Sequence, residues 1–531
     1  METIEIIAHY IVCVRKKQVK IMNKVVNIGY NAVIAKLYTA NLQAIAVVDE
    51  QLRYKVDGCE YSDAYKEQHW DGTSSFLSKR KMIFPSGFVT PVASALRSKG
   101  YIVNLITPKL PEHLGEMLPD FDEFGYTKQY DYQPLAVEEL IHRRRMIARL
   151  PTGAGKSRVA QIAIHTINRP CLFLTKRTIL ADQFKRSCEE LGMSVGVMGD
   201  GSWNPDPMLN VGIVQTFARR IMPPTSKKDG DDRRKLTALE TSQVKRKRDE
   251  ALAFLATVEF LIGEEVHETS AKEYFTVTNA CKNAWFRLGL TGTPFLSDNT
   301  SGNMRLMASF GQIGIYITEK ELIDRGILAR PIFKYVSVEP PTKLKRHSNW
   351  RRAEEIGIIN NEGRNRAILK YALDCKDIHT TSMILVQRKK HGHILHELLS
   401  KNGLKVKYVY GDHSREERRR ALKALQKGEI DCLIGSTILD AGVDVPAVSM
   451  IILAGGGKAQ VNLRQRIGRG LRAKKNGPNI CFIIDFIDET NKHLSAHAAS
   501  RRGIVMQIEG FAENILPNGE DIVYEKYGFT K

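Results

Sequence analysis

The sequence predicts an α/β protein: two tandem α/β lobes preceded by a small α+β domain. Three observations predict it. Apolar strand-like runs alternate with amphipathic helical stretches from about residue 125 to 335, and again from about 349 to 486, an alternation that builds parallel sheets covered by helices. One of those runs leads directly into a glycine-rich loop and a helix start at Pro151–Ser157. Before residue 125 the apolar runs are short and separated by polar turns, as at Ala44–Val48 and Tyr101–Ile106, the mark of a small mixed domain.

At 531 residues the chain has room for roughly three or four domains of about 150 residues each. The expected divisions are an N-terminal accessory domain over 1–124, a first lobe over 125–335, a second lobe over 336–486 and a C-terminal extension over 487–531 that includes Ser495–Arg502. In the first lobe the expected strands are Met146–Leu150, Pro170–Leu174, Val211–Val214, Phe260–Ile262 and Phe286–Leu290. In the second they are Met383–Val386, Val406–Val409, Cys432–Ile434, Met450–Leu453 and Cys481–Ile484. Two segments interrupt the pattern. Ser226–Glu250 carries nine Lys/Arg among six Asp/Glu and has a helical tail, and Glu339–Arg352 reads as a Pro-started basic linker. A charge run is most often a solvated face.

The 79 Lys+Arg against 59 Asp+Glu leave a formal charge of +20, a field that attracts polyanions without saying which. Eight scattered cysteines include no CxxC pair, which argues against structural zinc and a disulfide framework and for a reducing compartment. No basic-then-apolar leader and no apolar run of about 18 residues is present, so the expectation is a soluble cytoplasmic protein, in a host cytoplasm if the source is viral.

The loop Pro151-Thr152-Gly153-Ala154-Gly155-Lys156-Ser157 has the parts of a phosphate cradle. Its N–H groups wrap phosphate oxygens, Lys156 reaches the β- and γ-phosphates of ATP, and the Ser157 hydroxyl holds Mg2+. Leu150 stands where the strict eight-residue pattern begins with Gly. Hydrolysis also needs an acid for Mg2+ and a base for the attacking water, at the end of a neighbouring strand. Glu264 and Glu265, after the run at Phe260–Ile262, meet that need.

The stretch Glu264-Glu265-Val266-His267 resembles motif II (D-E-x-H) of superfamily 2 helicases, with Glu in place of the leading Asp. The resemblance implies that Glu264 holds the Mg2+ shell and Glu265 deprotonates water. A longer carboxylate at 264 shifts the metal by up to a methylene, which implies slower or re-registered hydrolysis. Gly289-Leu-Thr291-Gly-Thr293-Pro294 resembles motif III, and Gln133 corresponds to an adenine-contacting glutamine. Ser436-Thr437…Gly442-Val-Asp444-Val-Pro446 resembles motif V, with Gly442 and Asp444 near the nucleotide. Gln465-Arg466-Ile-Gly468-Arg469-Gly-Leu-Arg472 resembles motif VI. Arg469 and Arg472 would then be arginine fingers, a device worth about 10³–10⁵ in rate.

The match runs from about Gln133 to Arg472 with its motifs in order, and it implies two RecA-like lobes. It also implies backbone contacts to nucleic acid from Lys176 and Arg177 (motif Ia), Gln215 and Thr216 (motif Ib), Arg388 after motif IV, and Thr437. Contacts of this kind carry no base specificity. In the N-terminal stretch Tyr61, Tyr65, Trp70-Asp71-Gly72, Lys81–Phe88 and Gly100-Tyr101 resemble the accessory domain of UvsW-type phage recombination helicases, and the lobes also resemble XPB-like repair helicases. Those families imply DNA, duplex, forked or four-way, as the partner. Trp70 and the Phe84-Pro85 pair read equally well as the core of a small domain. An RNA helicase, the motor subunit of a restriction system, and a binding module with an inactive ATPase remain the alternatives.

Overall fold

The computed structural model describes residues 24–116, 128–222, 238–267, 272–295, 300–436, 447–457, 464, 467–468, 470–474 and 477–530. They form two compact units. One is Met1–Arg149 with Ser157–Tyr316, and the other is Leu150–Lys156 with Ile317–Lys531.

The first unit begins with a hairpin of β1 (Val25–Tyr30) and β2 (Ile34–Tyr38), then α1 (Leu42–Leu52), the short pair β3 (Arg53–Lys55) and β4 (Thr73–Ser75), β5 (Ile83–Pro85), α2 (Val89–Ser98) and β6 (Ile102–Ile106). The sheet order is β5-β2-β1-β6. Alternation turns Val26, Ile28, Ala35 and Leu37 inward, onto Ala44, Val48 and Leu52 of α1 and Val92 and Leu96 of α2. Asn41 starts α1 by accepting from Gln43 N and Ala44 N, which satisfies two N–H groups that a helix start leaves open. Phe84 is part of this core and the Trp70 indole donates to Thr73 O, so both serve the domain's own packing. The expected α+β domain is present, but its core also takes in Ala308, with Phe275, Met304 and Met307 packed against it. It therefore belongs to the same unit as the first lobe.

That lobe comprises α3 (Tyr132–Arg143), β7 (Arg145–Arg149), α4 (Lys156–Ile167), β8 (Cys171–Thr175), α5 (Thr178–Glu189), β9 (Gly196–Gly199), β10 (Ser202–Asn204), β11 (Leu209–Ile213), α6 (Val214–Ile221), α7 (Ala238–Thr257), β12 (Phe260–Glu264), α8 (Lys272–Ala280), β13 (Phe286–Thr291), α9 (Thr300–Phe310) and β14 (Ile313–Tyr316). The strands lie in the order β10-β9-β11-β8-β12-β13-β7-β14, parallel except for β10. The five expected strands fall on β7, β8, β11, β12 and β13. Strands buried on both faces read as continuous apolar runs, which is why these five were legible and the short flanking β9, β10 and β14 were not.

The second unit holds β15 (Arg330–Ser337), α10 (Trp350–Glu354), α11 (Glu362–Asp377), β16 (Ser382–Leu385), α12 (Lys389–Lys401), β17 (Val406–Val409), α13 (Arg415–Gln426), β18 (Cys432–Gly435), β19 (Met450–Ile452), β20 (Ile480–Ile487) and α14 (Lys492–Met506). Its sheet is parallel, in the order β15-β20-β19-β16-β18-β17.

Three expectations change here. The boundary at 335 falls inside β15, which pairs with β20 over its whole length, so the first lobe ends at Tyr316. Residues 339–352 are not a free linker: the buried Asn491 amide donates to the carbonyls of Lys345, Arg346 and Ser348. The C-terminal stretch is not an appendage either. Tyr524 and Phe529 pack against Phe482, and the buried Arg501 on α14 donates to both carboxylate oxygens of Asp485 on β20.

Candidate nucleotide and nucleic-acid site

Because β7, β8, β11, β12 and β13 are mutually parallel, the loops after them all leave one end of the first sheet. Open α/β sheets bind their ligands at that end.

The loop after β7 is held at its root by Met146, Ile147 and Ala148, all fully buried. Gly153 and Gly155 take φ of +90° and +76°, a conformation that only glycine adopts at no steric cost. The chain then enters α4 at Lys156, so the helix N-terminus and its open N–H groups follow the loop directly, an arrangement suited to phosphate. Residues 150–156 are grouped with the second unit. Within that unit a Cβ on Gly468 would lie 2.7 Å from Thr152 Cβ, so the absence of a side chain at the motif VI glycine makes room for that of Thr152.

Strand β12 is buried throughout and ends on Glu264, 8% exposed. Gly263 beneath it has no room for a side chain: a Cβ would lie 2.5 Å from Val266 and 2.6 Å from Phe310 and Tyr274. Glu265 follows with φ of +48°, a region that costs a non-glycine residue of order 1–3 kcal/mol and is found mostly at functional sites. His267 Nδ1 lies 3.3 Å from Glu265 Oε2 and 2.9 Å from Thr291 Oγ1. The Thr291 hydroxyl also accepts from Thr293 N at 3.2 Å. The glutamate expected as base thus lies beside the motif II histidine, which is itself hydrogen-bonded to the motif III threonine. Gln133 is buried in the first turn of α3.

Carboxylate and hydroxyl oxygens are the hard donors that Mg2+ takes, and Glu264 and Ser157 supply both on the same unit. The residues present therefore fit the ion, which when bound would neutralise charge on the β- and γ-phosphate oxygens.

Lys176 and Arg177 follow β8, and Gln215 and Thr216 open α6 after the neighbouring β11, so these four follow adjacent strand ends. Gln215 Oε1 is buried and has no hydrogen-bond partner among the described residues. In the second unit Arg388 follows β16, but its guanidinium is held by Glu354 through two hydrogen bonds of 2.9 and 2.7 Å, leaving only its remaining N–H groups for a phosphate. Glu354, 34 residues away, carries no local sequence signal for that pairing. Arg472 is exposed and its backbone bridges Leu328. The buried Ile467 and Leu471 anchor this segment, and Gly470 lies so close to Ile451 that a Cβ would meet it at 2.3 Å. Thr437, Gly442, Asp444 and Arg469 lie outside the described residues. Among the described residues no helix is long and apolar enough to cross a membrane.

Residues 127–296 match the family described as type III restriction enzyme, res subunit, and residues 364–474 match the helicase conserved C-terminal domain. The ATP-dependent DNA helicase UvsW of Enterobacteria phage T4 is 24% identical over 464 residues, 82% of this chain and 85% of that protein. Putative helicase 22 of a Sulfolobus islandicus filamentous virus is 24% identical over 364 residues, covering 64% of this chain and 60% of the viral protein. A fragment of a putative HsdR subunit of a type I restriction enzyme from Vibrio vulnificus shares the fold, with TM-score 0.51 and 18% identity over 74% of this chain and 70% of that one.

Proposed function

Because this chain belongs to the superfamily 2 ATP-dependent helicases, we propose that it moves along DNA and remodels duplex or branched substrates, in branch migration, recombination, repair or rescue of stalled forks. The observation that carries the reading is the common origin of two sets of loops. Those bearing Glu264, Glu265 and Thr291 and those bearing Lys176, Arg177, Gln215 and Thr216 leave the same end of one parallel sheet. DNA rather than RNA is favoured by the phage relative, a DNA helicase that aligns over most of the chain.

In this reading Thr152, Gly153, Gly155, Lys156 and Ser157 hold the phosphates, Gln133 faces the adenine, and Gly442 and Asp444 approach the nucleotide. Glu265 takes the proton of the attacking water. Arg469 and Arg472 supply positive charge at the γ-phosphate in a closed state of the two lobes, which ties hydrolysis to closure. Lys176, Arg177, Gln215, Thr216, Arg388 and Thr437 grip the backbone without reading bases, and reopening advances that grip.

Steady-state ATP hydrolysis tests the proposal, measured without nucleic acid and with single-stranded DNA, duplex DNA, a four-way junction and RNA. Branched or duplex DNA should stimulate turnover most, and Lys156→Ala should abolish it. Stimulation by RNA above DNA would make the chain an RNA helicase. Flat turnover with intact junction binding would make it a binding module, with Glu264→Asp the first reversion to make.

A further inference from the structure

Helix α9 is capped from outside its own lobe. The first N–H groups of a helix have no partner within it, and here Thr300 N and Ser301 N donate to the Asp57 carboxylate at 2.9 and 3.2 Å, with Ser301 Oγ donating as well. A carboxylate suits this place both as acceptor and as negative charge at the positive end of the helix dipole. Asp57 belongs to the N-terminal domain, between β3 and β4, 243 residues before Thr300.

The next turns of α9 extend the same attachment. Met304, Met307 and Ala308 pack into the N-terminal core, and Gly87 runs so close beneath them that a Cβ there would lie 2.2 Å from Met307 O. At the far end of the helix the contacts change hands. Phe310 lies against Gly263 and Gly289, where a Cβ would meet its ring at 2.6 and 3.0 Å. Gly263 directly precedes Glu264, and Gly289 stands two residues before Thr291. Ser309 adds a hydroxyl contact to Thr278 at 2.9 Å, and its carbonyl accepts from the buried Arg287. A helix of eleven residues is a stiff element about 16 Å long, so a shift at its capped end reaches Phe310 and the two strands beneath it.

We propose that Asp57 is a positioning residue for ATP hydrolysis: through its cap on α9, and the seat of Phe310 on Gly263 and Gly289, it links the N-terminal domain to the strands carrying Glu264, Glu265 and Thr291. The proposal rests on the helicase reading above, in which DNA stimulates turnover. Asp57 touches neither nucleotide nor DNA in this role, and its effect falls on how strongly bound DNA raises kcat.

The test is ATP hydrolysis by the full chain as wild type, Asp57→Ala and Asp57→Asn, without DNA and with a saturating four-way junction. Junction Kd and melting temperature are measured alongside. Asp57→Ala is expected to keep basal kcat and the KM for ATP within about twofold of wild type, while junction-stimulated kcat falls by about fivefold or more. Asp57→Asn keeps one of the two acceptor oxygens and should restore part of the stimulation, since a single side-chain oxygen still caps a helix. Undiminished stimulation in Asp57→Ala overturns the proposal and leaves the helicase reading standing. Equal loss of basal and stimulated turnover also overturns it, since that is what a purely structural residue would do. A wild type that no DNA stimulates overturns the helicase reading, and this proposal with it.

Discussion

His267 Nδ1 lies within 3.3 Å of Glu265 Oε2 and 2.9 Å of Thr291 Oγ1, so a single imidazole nitrogen joins the proposed catalytic base to the last residue of β13. Both His267 and Thr291 are buried, where each lost partner is felt. Thr291→Val keeps the shape and removes the hydroxyl, leaving His267 Nδ1 and Thr293 N without it. That costs about 1–3 kcal/mol locally. DNA-stimulated hydrolysis is expected to stay within about tenfold of wild type, while strand separation drops much further. The measurement is ATP consumed per base pair opened. If hydrolysis and unwinding fall in proportion, Thr291 does not couple them.

The basic insertion has a root and a free half. Ala251 and Leu255 of α7 are buried, and Glu250 pairs with Arg220 at 2.8 Å. Arg220 in turn lies 3.6 Å over the Trp203 ring. Residues 242–250 are exposed at every position, so Lys245, Arg246, Lys247 and Arg248 project from all sides of the helix. We expect them to contact the phosphates of a DNA arm outside the motor. Replacing all four with Ala retains the helix, since Ala is the best helix former, and should lower the slope of log K against log[salt] for forked DNA by up to about 3–4. An unchanged slope and affinity would leave these residues as a solvated face.

What the sequence disclosed and what it withheld divide along chain separation. The five central strands of the first lobe and their loops were readable because each is a local pattern: an apolar run, then glycines or acids at fixed spacing. Likewise α13 carries its own capping box at Ser414 and Glu417. The Asp57 cap on α9, the Arg388 to Glu354 fork, the Arg364 to Asp488 pair and the β15 to β20 ladder join residues between 34 and about 240 positions apart, and no periodicity announces such a partner. For β15 the error had a specific cause. Its apolar run follows the first lobe without a break in pattern, and only pairing with β20 assigns it to the second sheet. The N-terminal domain shows the same effect, since Phe275 of α8 and Met304, Met307 and Ala308 of α9, which lie far along the chain, help to close its core.

His391 makes the second unit sensitive to acid. The ring is buried on α12, and Nε2 lies 2.9 Å from Asn365 Oδ1. An amide oxygen can only accept, so Nε2 carries the hydrogen. Burial, with the Arg364 guanidinium adding to it, lowers the imidazole pKa from 6.5 to about 3. The folded value lies below the unfolded one. As pH falls through 6.5 the unfolded chain therefore gains a proton that the folded chain refuses, and stability present above that pH is lost progressively down to about 3. The loss approaches about 1.4 kcal/mol per pH unit. His391→Gln keeps an N–H donor that does not titrate. Between pH 6.5 and 5 its melting temperature should fall less than that of wild type, by roughly 4–8 °C for a unit of this size. Thermal melts of both proteins across that range measure the difference, and parallel curves would mean that the His391 ring is protonated in the fold.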